Sequence, residues 1–390
     1  MPFLTLIIYF ALTYLSFSVA YYFIFSFGSI FSKRKPSKKK SNQFKYAILI
    51  PGYKEDSVIY DVAKSTLNQN YDSALYEVII IADSFQATTL KALKKLPITV
   101  VEVSFEKSTK TKALNRAMSE IGDDYDIALV LDADNIMETN FINKINQAFN
   151  SGFIAVQGRR VAKNLNTNFA VLDAISEEIG HNVFKKGPRF FGFSSALAGS
   201  GMAFDYAYFK KIMKDVHAIG GFDKELEVRI LKDQNKIEYL PNAIVYDEKV
   251  QKAEAFYNQR RRWLSSQSNY LTKASRIAVK ELLTKGNFDL FNKVIQWAIP
   301  PKLILLALVL ISSSLVFLFS QNPILNRLML TNLLGTFAFF LLSIPLKFYS
   351  ITTLKAVMSI PYAFWLLSLA LFKIKGANER FIHTPHGEEN

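Results

Sequence analysis

The stretch that decides the fold is Asp126-Ile127-Ala128-Leu129-Val130-Leu131-Asp132-Ala133-Asp134-Asn135. An unbroken aliphatic run without polar alternation suits a strand buried on both faces, and the carboxylates that follow stop it abruptly. The same grammar repeats upstream. Tyr46-Ala47-Ile48-Leu49-Ile50 ends at Pro51-Gly52, Glu77-Val78-Ile79-Ile80-Ile81-Ala82 stops at Asp83, and Ile98 to Val103 forms a further run. Between these runs, Asp61 to Asn68, Leu90 to Lys95 and Thr111 to Ile121 are helical in character. Repeated β-α units predict an α/β domain on a parallel sheet with helices on both faces. In such sheets ligands bind beyond the carboxyl ends of the strands. Tyr53, Glu55, Asp83, Asp132 and Asp134 are therefore candidates by position.

Two carboxylates flanking one small residue at a strand end suit a hard divalent cation. Mg2+ and Mn2+ take oxygen ligands, keep open positions and bridge the phosphates of nucleotides. An Asp-x-Asp pair also occurs in solvated turns, so the pair does not decide the matter by itself. Further along, Ala198-Gly199-Ser200-Gly201-Met202-Ala203-Phe204 is a glycine-rich turn that lets backbone approach a ligand closely. Gly220-Gly221-Phe222-Asp223-Lys224-Glu225-Leu226-Glu227-Val228-Arg229 places carboxylates at the start of a helical stretch, where Asp223 reads equally as an N-terminal cap. Gln259-Arg260-Arg261-Arg262-Trp263 sets three guanidiniums beside an indole. Arginine pairs with phosphate and tryptophan offers a flat stacking face, although a basic membrane-proximal helix has the same composition.

Composition separates the ends from the middle. The chain of 390 residues is half apolar yet carries a net charge of +14. Phe3 to Ser32 contains no charge and is long enough to cross a bilayer, and Lys33, Arg34, Lys35, Lys38, Lys39 and Lys40 follow it. The positive-inside rule makes that run the cytoplasmic end of an anchor and puts the middle of the chain in the cytoplasm. The basic run is expected to be a solvated linker that also touches anionic lipid, rather than a nucleic-acid site. Leu303 to Asn326 and Leu328 to Leu346 predict a membrane hairpin. Ala356 to Phe372 is a shorter third segment that either spans or is re-entrant or interfacial, and Leu282 to Trp297 reads as one interfacial helix. The expected division is residues 1–32 as anchor, 42–285 as catalytic domain, 286–376 as interface helix and membrane segments, and 377–390 as tail. With no cysteine, thiolate metal sites, disulfides and cysteine nucleophiles are excluded. His181, His217, His383 and His386 do not converge as ligands and are expected at the surface or in the tail.

In order along the chain, Pro51-Gly52-Tyr53-Lys54-Glu55, Asp83, Lys110-Thr111-Lys112-Ala113-Leu114-Asn115, Asp132-Ala133-Asp134, Gly199-Ser200-Gly201-Met202, Asp223 and Gln259 to Trp263 resemble the membrane-embedded family-2 glycosyltransferases. Their relatives include cellulose, chitin and hyaluronan synthases and ceramide glucosyltransferase. Pro241-Asn242-Ala243-Ile244-Val245 ahead of Glu248 looks like the family's strand before the arginine-tryptophan block, and Phe381-Ile382-His383-Thr384-Pro385 like a cytoplasmic tail segment. The resemblance implies a Rossmann-like nucleotide-sugar-binding domain of the GT-A type. Tyr53, Glu55, Asp83 and Lys110 would hold the nucleotide, and Asp132 and Asp134 the diphosphate and a Mg2+ or Mn2+ ion. Asp223 would be the catalytic base, and Gln259, Arg262 and Trp263 would serve diphosphate and acceptor. One departure stands out: the family's Thr-Glu-Asp is here Gly221-Phe222-Asp223, which leaves Glu225 as the alternative base.

The function so implied is inverting transfer from a nucleotide-sugar donor, UDP-linked, to a glycan acceptor, building β-linked polysaccharide at the cytoplasmic face of a bacterial inner membrane. A single transfer to a lipid acceptor is the alternative within the enzyme class. The alternative outside it is a non-catalytic membrane protein with a degenerate donor site, yet Asp132, Asp134 and Trp263 all remain and the apolar segments carry almost no ionisable residues, unlike those of transporters.

Overall fold

The computed structural model describes residues 2–32, 42–374 and 376–377. The basic run from Lys33 to Lys40, His383, His386 and the Phe381–Pro385 segment lie outside the described residues. The chain opens with helix α1 (Pro2–Phe31) and enters the α/β domain through β1 (Tyr46–Tyr53), α2 (Ile59–Thr66), β2 (Tyr76–Asp83), α3 (Ala87–Leu93), β3 (Thr99–Val103), α4 (Lys110–Glu120) and β4 (Ile127–Val130). It continues through β5 (Ile136–Met137), α5 (Phe141–Phe149), β6 (Ala155–Ala162), α6 (Asn168–Gly180), a π-helical turn (His181–Lys186) and α7 (Gly187–Phe190). Then come β7 (Met202–Asp205), α8 (Tyr206–Met213), α9 (Phe222–Lys232), β8 (Ile237–Asp247), α10 (Ala253–Lys285) and α11 (Phe288–Ala298). The C-terminal helices are α12 (Lys302–Phe319), α13 (Pro323–Ser343), α14 (Ile351–Val357) and α15 (Ile360–Phe372).

The runs at β1, β2 and β4 became strands buried on both faces, while Ile98 to Val103 became the edge strand β3 with Glu102 exposed. Ala47, Leu49, Ile79 and Ile81 pack with Leu114 and Met118 of α4 on one face. Ile48, Ile50 and Ile80 pack with Phe141, Ile142 and Ile145 of α5 on the other. The strand period of two divides one apolar run between two cores.

The sheet differs from the expected parallel one. Its order is β3-β2-β1-β4-β7-β6-β8-β5. The first four strands are parallel, but β7 runs antiparallel to both β4 and β6, and β5 antiparallel to β8. The sheet is mixed because the β-α alternation ends at β4: β6 and β7 are joined by the excursion through α6, the π turn and α7, which returns the chain antiparallel to its neighbour. β8 runs parallel to β6 with a register shift at Gly158/Arg159. Pro241 has no amide hydrogen to give the ladder, so Pro241–Ala243 bulges out. Beyond the bulge Arg160 pairs with Val245 and Ala162 with Asp247.

Among the described residues, three helices are long and apolar enough to cross a membrane: Leu6–Phe31, Lys302–Phe319 and Pro323–Ser343. The hairpin turn lies at residues 320–322 instead of near Arg327, because Asn322 caps α13 by accepting the Ile324 amide at 2.9 Å. Arg327 thus sits inside the helix. α14 and α15 form a pair bent by 46°. The single interfacial helix expected over Leu282 to Trp297 is two helices, since Gly286 takes a left-handed conformation (φ +63°) that ends α10. α1, α6, the π turn and α12–α14 share one apolar cluster that joins the α/β domain to the apolar helices. His181 opens the π turn and is 3 % exposed, contrary to its expected surface position, because the turn continues directly from α6 into the interior; His217 is exposed.

Candidate active site

The site forms where β1, β2 and β4 end side by side. Tyr53 and Asp83 are register partners. Both chains then turn through left-handed residues, Lys54 (φ +56°) and Ser84 (φ +60°), a conformation uncommon outside glycine. The Lys54 amide donates to the Asp83 carbonyl at 3.1 Å and the Ser84 hydroxyl to the Asp83 carboxylate at 3.0 Å. Asp83 and Glu55 are both buried. Gly52 lets the strands close on Asp-Ala-Asp: a Cβ there would stand 2.7 Å from the Phe85 ring and 3.5 Å from the Ala133 methyl.

Lys110 joins three separate segments. It is the first residue of α4, whose start is capped by the Thr109 hydroxyl accepting the Lys112 amide at 3.2 Å. Its ammonium forms an ion pair with Asp132, donates to the Gly199 carbonyl at 2.8 Å and lies 5.2 Å from the centre of the Phe222 ring. The glycine turn is fixed from behind by buried Gln157, which accepts the Ala198 amide at 2.8 Å and donates to the Ser200 carbonyl at 2.9 Å. Gly199 (φ +79°) and Gly201 (φ +62°) supply the left-handed backbone that the turn requires. The Asp132 amide donates to the Ser200 hydroxyl at 2.9 Å, which is itself hydrogen-bonded to Asn135. Asp134 accepts the Asn135 side-chain amide at 3.0 Å and the Glu248 backbone amide at 3.1 Å.

Among the described residues no three His, Asp or Glu side chains converge as a complete metal cage. Asp132 and Asp134 offer carboxylate oxygens alone, and the Asp132 side chain is 38 % exposed. A hard cation that keeps its waters and borrows phosphate oxygens needs only one or two carboxylates. The donor set fits such an ion completed by a bound diphosphate.

Asp223 lies in the first turn of α9, but the residue at the helix start is Gly221, so Asp223 is not the cap. Gly221 is left-handed (φ +73°), and a Cβ on it would meet Ser266 of α10 at 2.8 Å. The Asp223 side chain is 17 % exposed and stands 3.5 Å from the Lys224 ammonium. Glu225 is committed elsewhere: it pairs with Arg229 at 2.9 Å and bonds Tyr270. Burial, with Glu225 and Asp223 adding, pushes the Tyr270 hydroxyl well above its usual range.

The structure does not bring the whole arginine-tryptophan block onto the carboxylates. Arg260 pairs with Asp173 and stacks 4.4 Å from the centre of the Trp263 ring. Arg261 donates to the Lys373 carbonyl at the end of α15. Gln259 has a buried carbonyl oxygen without a hydrogen-bond partner. Burial lowers the pKa of Arg262, one turn before the Ser266 that touches Gly221. Trp263 is 43 % exposed. Sequence reasoning missed Arg160, Glu177, Asp247 and Lys249 and gave Glu227 no role of its own; all five are buried or nearly so. Glu227, one turn after Asp223, accepts the Leu197 amide at 2.6 Å and lies 3.5 Å from buried Lys293. Burial, with Asp223 adding, raises its pKa.

Among solved structures, the chain is similar to the mannosyltransferase PcManGT from Pyrobaculum calidifontis in complex with GDP-Man and Mn2+, at 15 % identity and a TM-score of 0.57, over 95 % of this chain and 97 % of that one. It is also similar to S. aureus TarS 1-349 in complex with UDP-GlcNAc, at 13 % identity and a TM-score of 0.43, over 86 % and 91 % of the two chains. A third is glucosyl-3-phosphoglycerate synthase from Mycobacterium tuberculosis in complex with Mn2+, UDP and phosphoglyceric acid, at 14 % identity and a TM-score of 0.42, over 58 % and 78 %. No curated protein matches the sequence. The α/β fold is of the GT-A type. The sequence profile of the glycosyltransferase-like family 2 matches residues 43–266, more than half of the chain and the whole run from β1 to the middle of α10. On that match the chain belongs to the family-2 glycosyltransferases.

Proposed function

We propose that this glycosyltransferase inverts configuration, taking a sugar from a UDP-linked donor and forming a β-linkage to a glycan acceptor at the cytoplasmic face of a bacterial inner membrane. The observation that carries the reading is the Lys110 bridge, which gathers Asp132, the Gly199 carbonyl and the Phe222 ring next to Asp223 at the strand ends. Tyr53, Glu55 and Asp83 would receive the nucleoside end, and Lys110 the charge of the diphosphate. A Mg2+ or Mn2+ ion on Asp132 and Asp134, when bound, would supply neutralisation of the leaving diphosphate.

Asp223 acts as general base. Its carboxylate takes the proton of the acceptor hydroxyl as that oxygen attacks the anomeric carbon, and the bond from that carbon to the diphosphate breaks on the opposite face. The electron pair leaves with the nucleoside diphosphate, so an α-linked donor gives a β-linked product without a covalent intermediate. Glu225 is the weaker base because Arg229 and Tyr270 already occupy it. Arg262, Gln259 and Trp263 would line the acceptor side.

A lipid-borne acceptor is the second reading, and one observation favours it. The arginine-tryptophan segment rests on α15, with Leu264 packed among Leu367 and Ala370 and Arg261 bonded to Lys373. The acceptor side of the site therefore abuts an apolar helix pair.

Purified Asp134→Ala and Asp223→Asn variants test the assignment with a labelled donor. Asp223→Asn is expected to bind donor but transfer ~10²–10⁴-fold more slowly, the usual worth of a general base. Asp134→Ala is expected to lose transfer and metal-dependent donor binding together. Retained transfer by Asp223→Asn would move the base role to Glu225, and an α-linked product would refute inversion.

A further inference from the structure

α6 has two faces. Val171, Ala174, Ile175 and Ile179 pack with Leu15, Val19 and Tyr22 of α1 and with Leu305 and Val309 of α12. The other face carries Asp173 and Glu177, four residues apart, and Glu178 follows at the border of the apolar face. All three are ion-paired: Asp173 with Arg260, Glu178 with Arg159 and, at 3.1 Å, with Lys347, and Glu177 with Arg160 at 2.9 Å and with Lys249. Lys302, the first residue of α12, donates to the Ser176 carbonyl at 2.7 Å.

Of these contacts, the one through Glu177 reaches the strand-end site. Arg160 spends one guanidinium nitrogen on Glu177, a second on Asp247 at 2.9 Å, and a third on the Ala198 carbonyl at 3.0 Å, where the glycine turn begins. Lys249 closes the ring of charges by pairing with Asp247 at 2.8 Å and with Glu177. Glu248, between those two residues, donates its amide to Asp134. Asp132 and Asp134 also add to the field that keeps Arg160 charged. The quartet thus touches both walls of the site: Arg160 holds the turn, and the Asp247–Lys249 segment holds Asp134. Four buried charges are costly, and a well-packed apolar set would serve stability as well. Their arrangement is explained by what Arg160 grips.

We infer that Glu177 is a positioning residue for the donor diphosphate site: by fixing Arg160 against Ala198, it sets the glycine turn at its working distance from Asp132 and Asp134. The inference rests on reading that site as the donor site. It also makes α6 the element through which the packing of the apolar helices reaches the diphosphate.

The test titrates UDP, and GDP in parallel, with Mn2+ into the full chain in lipid nanodiscs, starting with wild type, then E177Q, R160M and E177Q/R160M. E177Q is expected to weaken nucleotide binding ~10–100-fold, the range seen when a supporting partner is lost, and to raise the donor KM more than it lowers kcat. Because Glu177 acts through Arg160, the double variant is expected to bind no worse than R160M. The double variant removes one charge of each sign and leaves the Asp247–Lys249 pair, so it keeps the test decisive if E177Q fails to fold. Wild-type affinity in E177Q or in the double variant, or strictly additive losses, would overturn the inference. A wild-type chain that binds neither nucleotide would overturn the donor reading and the inference together, and the first titration tells the two failures apart.

Discussion

His181 shows how much of a residue's behaviour is decided by neighbours far away in the chain. Its spacing from the other histidines gives no metal site, and a surface position follows from sequence. Instead it is buried beside Tyr239, 3.5 Å from Glu178. Burial, with Lys185 adding, lowers its pKa to about 4. An unfolded histidine titrates near 6.5, so between about pH 6.5 and 4 the unfolded chain binds a proton that the folded chain refuses. Stability should fall as pH drops through that window, by about 3 kcal/mol for this group. Thermal midpoints of wild type and His181→Gln between pH 7 and 4 check this; the variant should have the flatter profile, and parallel profiles would assign the loss to other groups. The place of Asp132 and Asp134 at a strand end was legible because the aliphatic run stops there, whereas Lys110, at the start of α4, was singled out only by the motif it belongs to. The placement of Arg160, Glu177 and Glu227 was not legible, because each is held by a partner from another element: Arg160 by the Ala198 carbonyl, Glu177 by Arg160, Glu227 by the Leu197 amide.

At the scale of elements, the aliphatic runs predicted β1 to β4 and the helices between them with small shifts of boundary. The second half was less legible. β7 is four residues long and antiparallel to both neighbours, and no periodicity in Met202-Ala203-Phe204-Asp205 carries that direction. The break at Gly286 was missed because apolar and charged residues continue on both sides of it, although a glycine after Lys285 is a common helix stop. Gly187 makes a sharper case. It opens α7, which docks on α1, and a Cβ on it would collide with the backbone carbonyl of Phe25. Gly187→Ala should therefore push α7 off α1 and cost about 1–3 kcal/mol, the usual penalty of overpacking. A lowered thermal midpoint in detergent is the expected result, and an unchanged midpoint would mean that the two helices separate freely.

For the whole molecule, the apolar half and part of the charge now have structural addresses among the described residues. Much of the apolar content lies in three helices of spanning length and a bent pair, and the remainder fills the two faces of the sheet. Several cations sit where those parts meet: Lys302 and Lys347 reach α6 from the apolar helices, while Arg159, Arg160 and Arg260 reach it from the α/β domain. That junction could not be read from sequence, since its members come from five separate stretches. The order of motifs, by contrast, was legible along the whole chain, and it led to the family. The central claim is sugar transfer from a nucleotide donor, and the most direct measurement is incubation of membranes carrying the full chain with a panel of radiolabelled nucleotide sugars and Mg2+ or Mn2+. Separating lipid-extractable from polymeric product also decides between the two acceptors. The account predicts label from one donor in one of these fractions, lost in Asp223→Asn; label in neither fraction with any donor would contradict it.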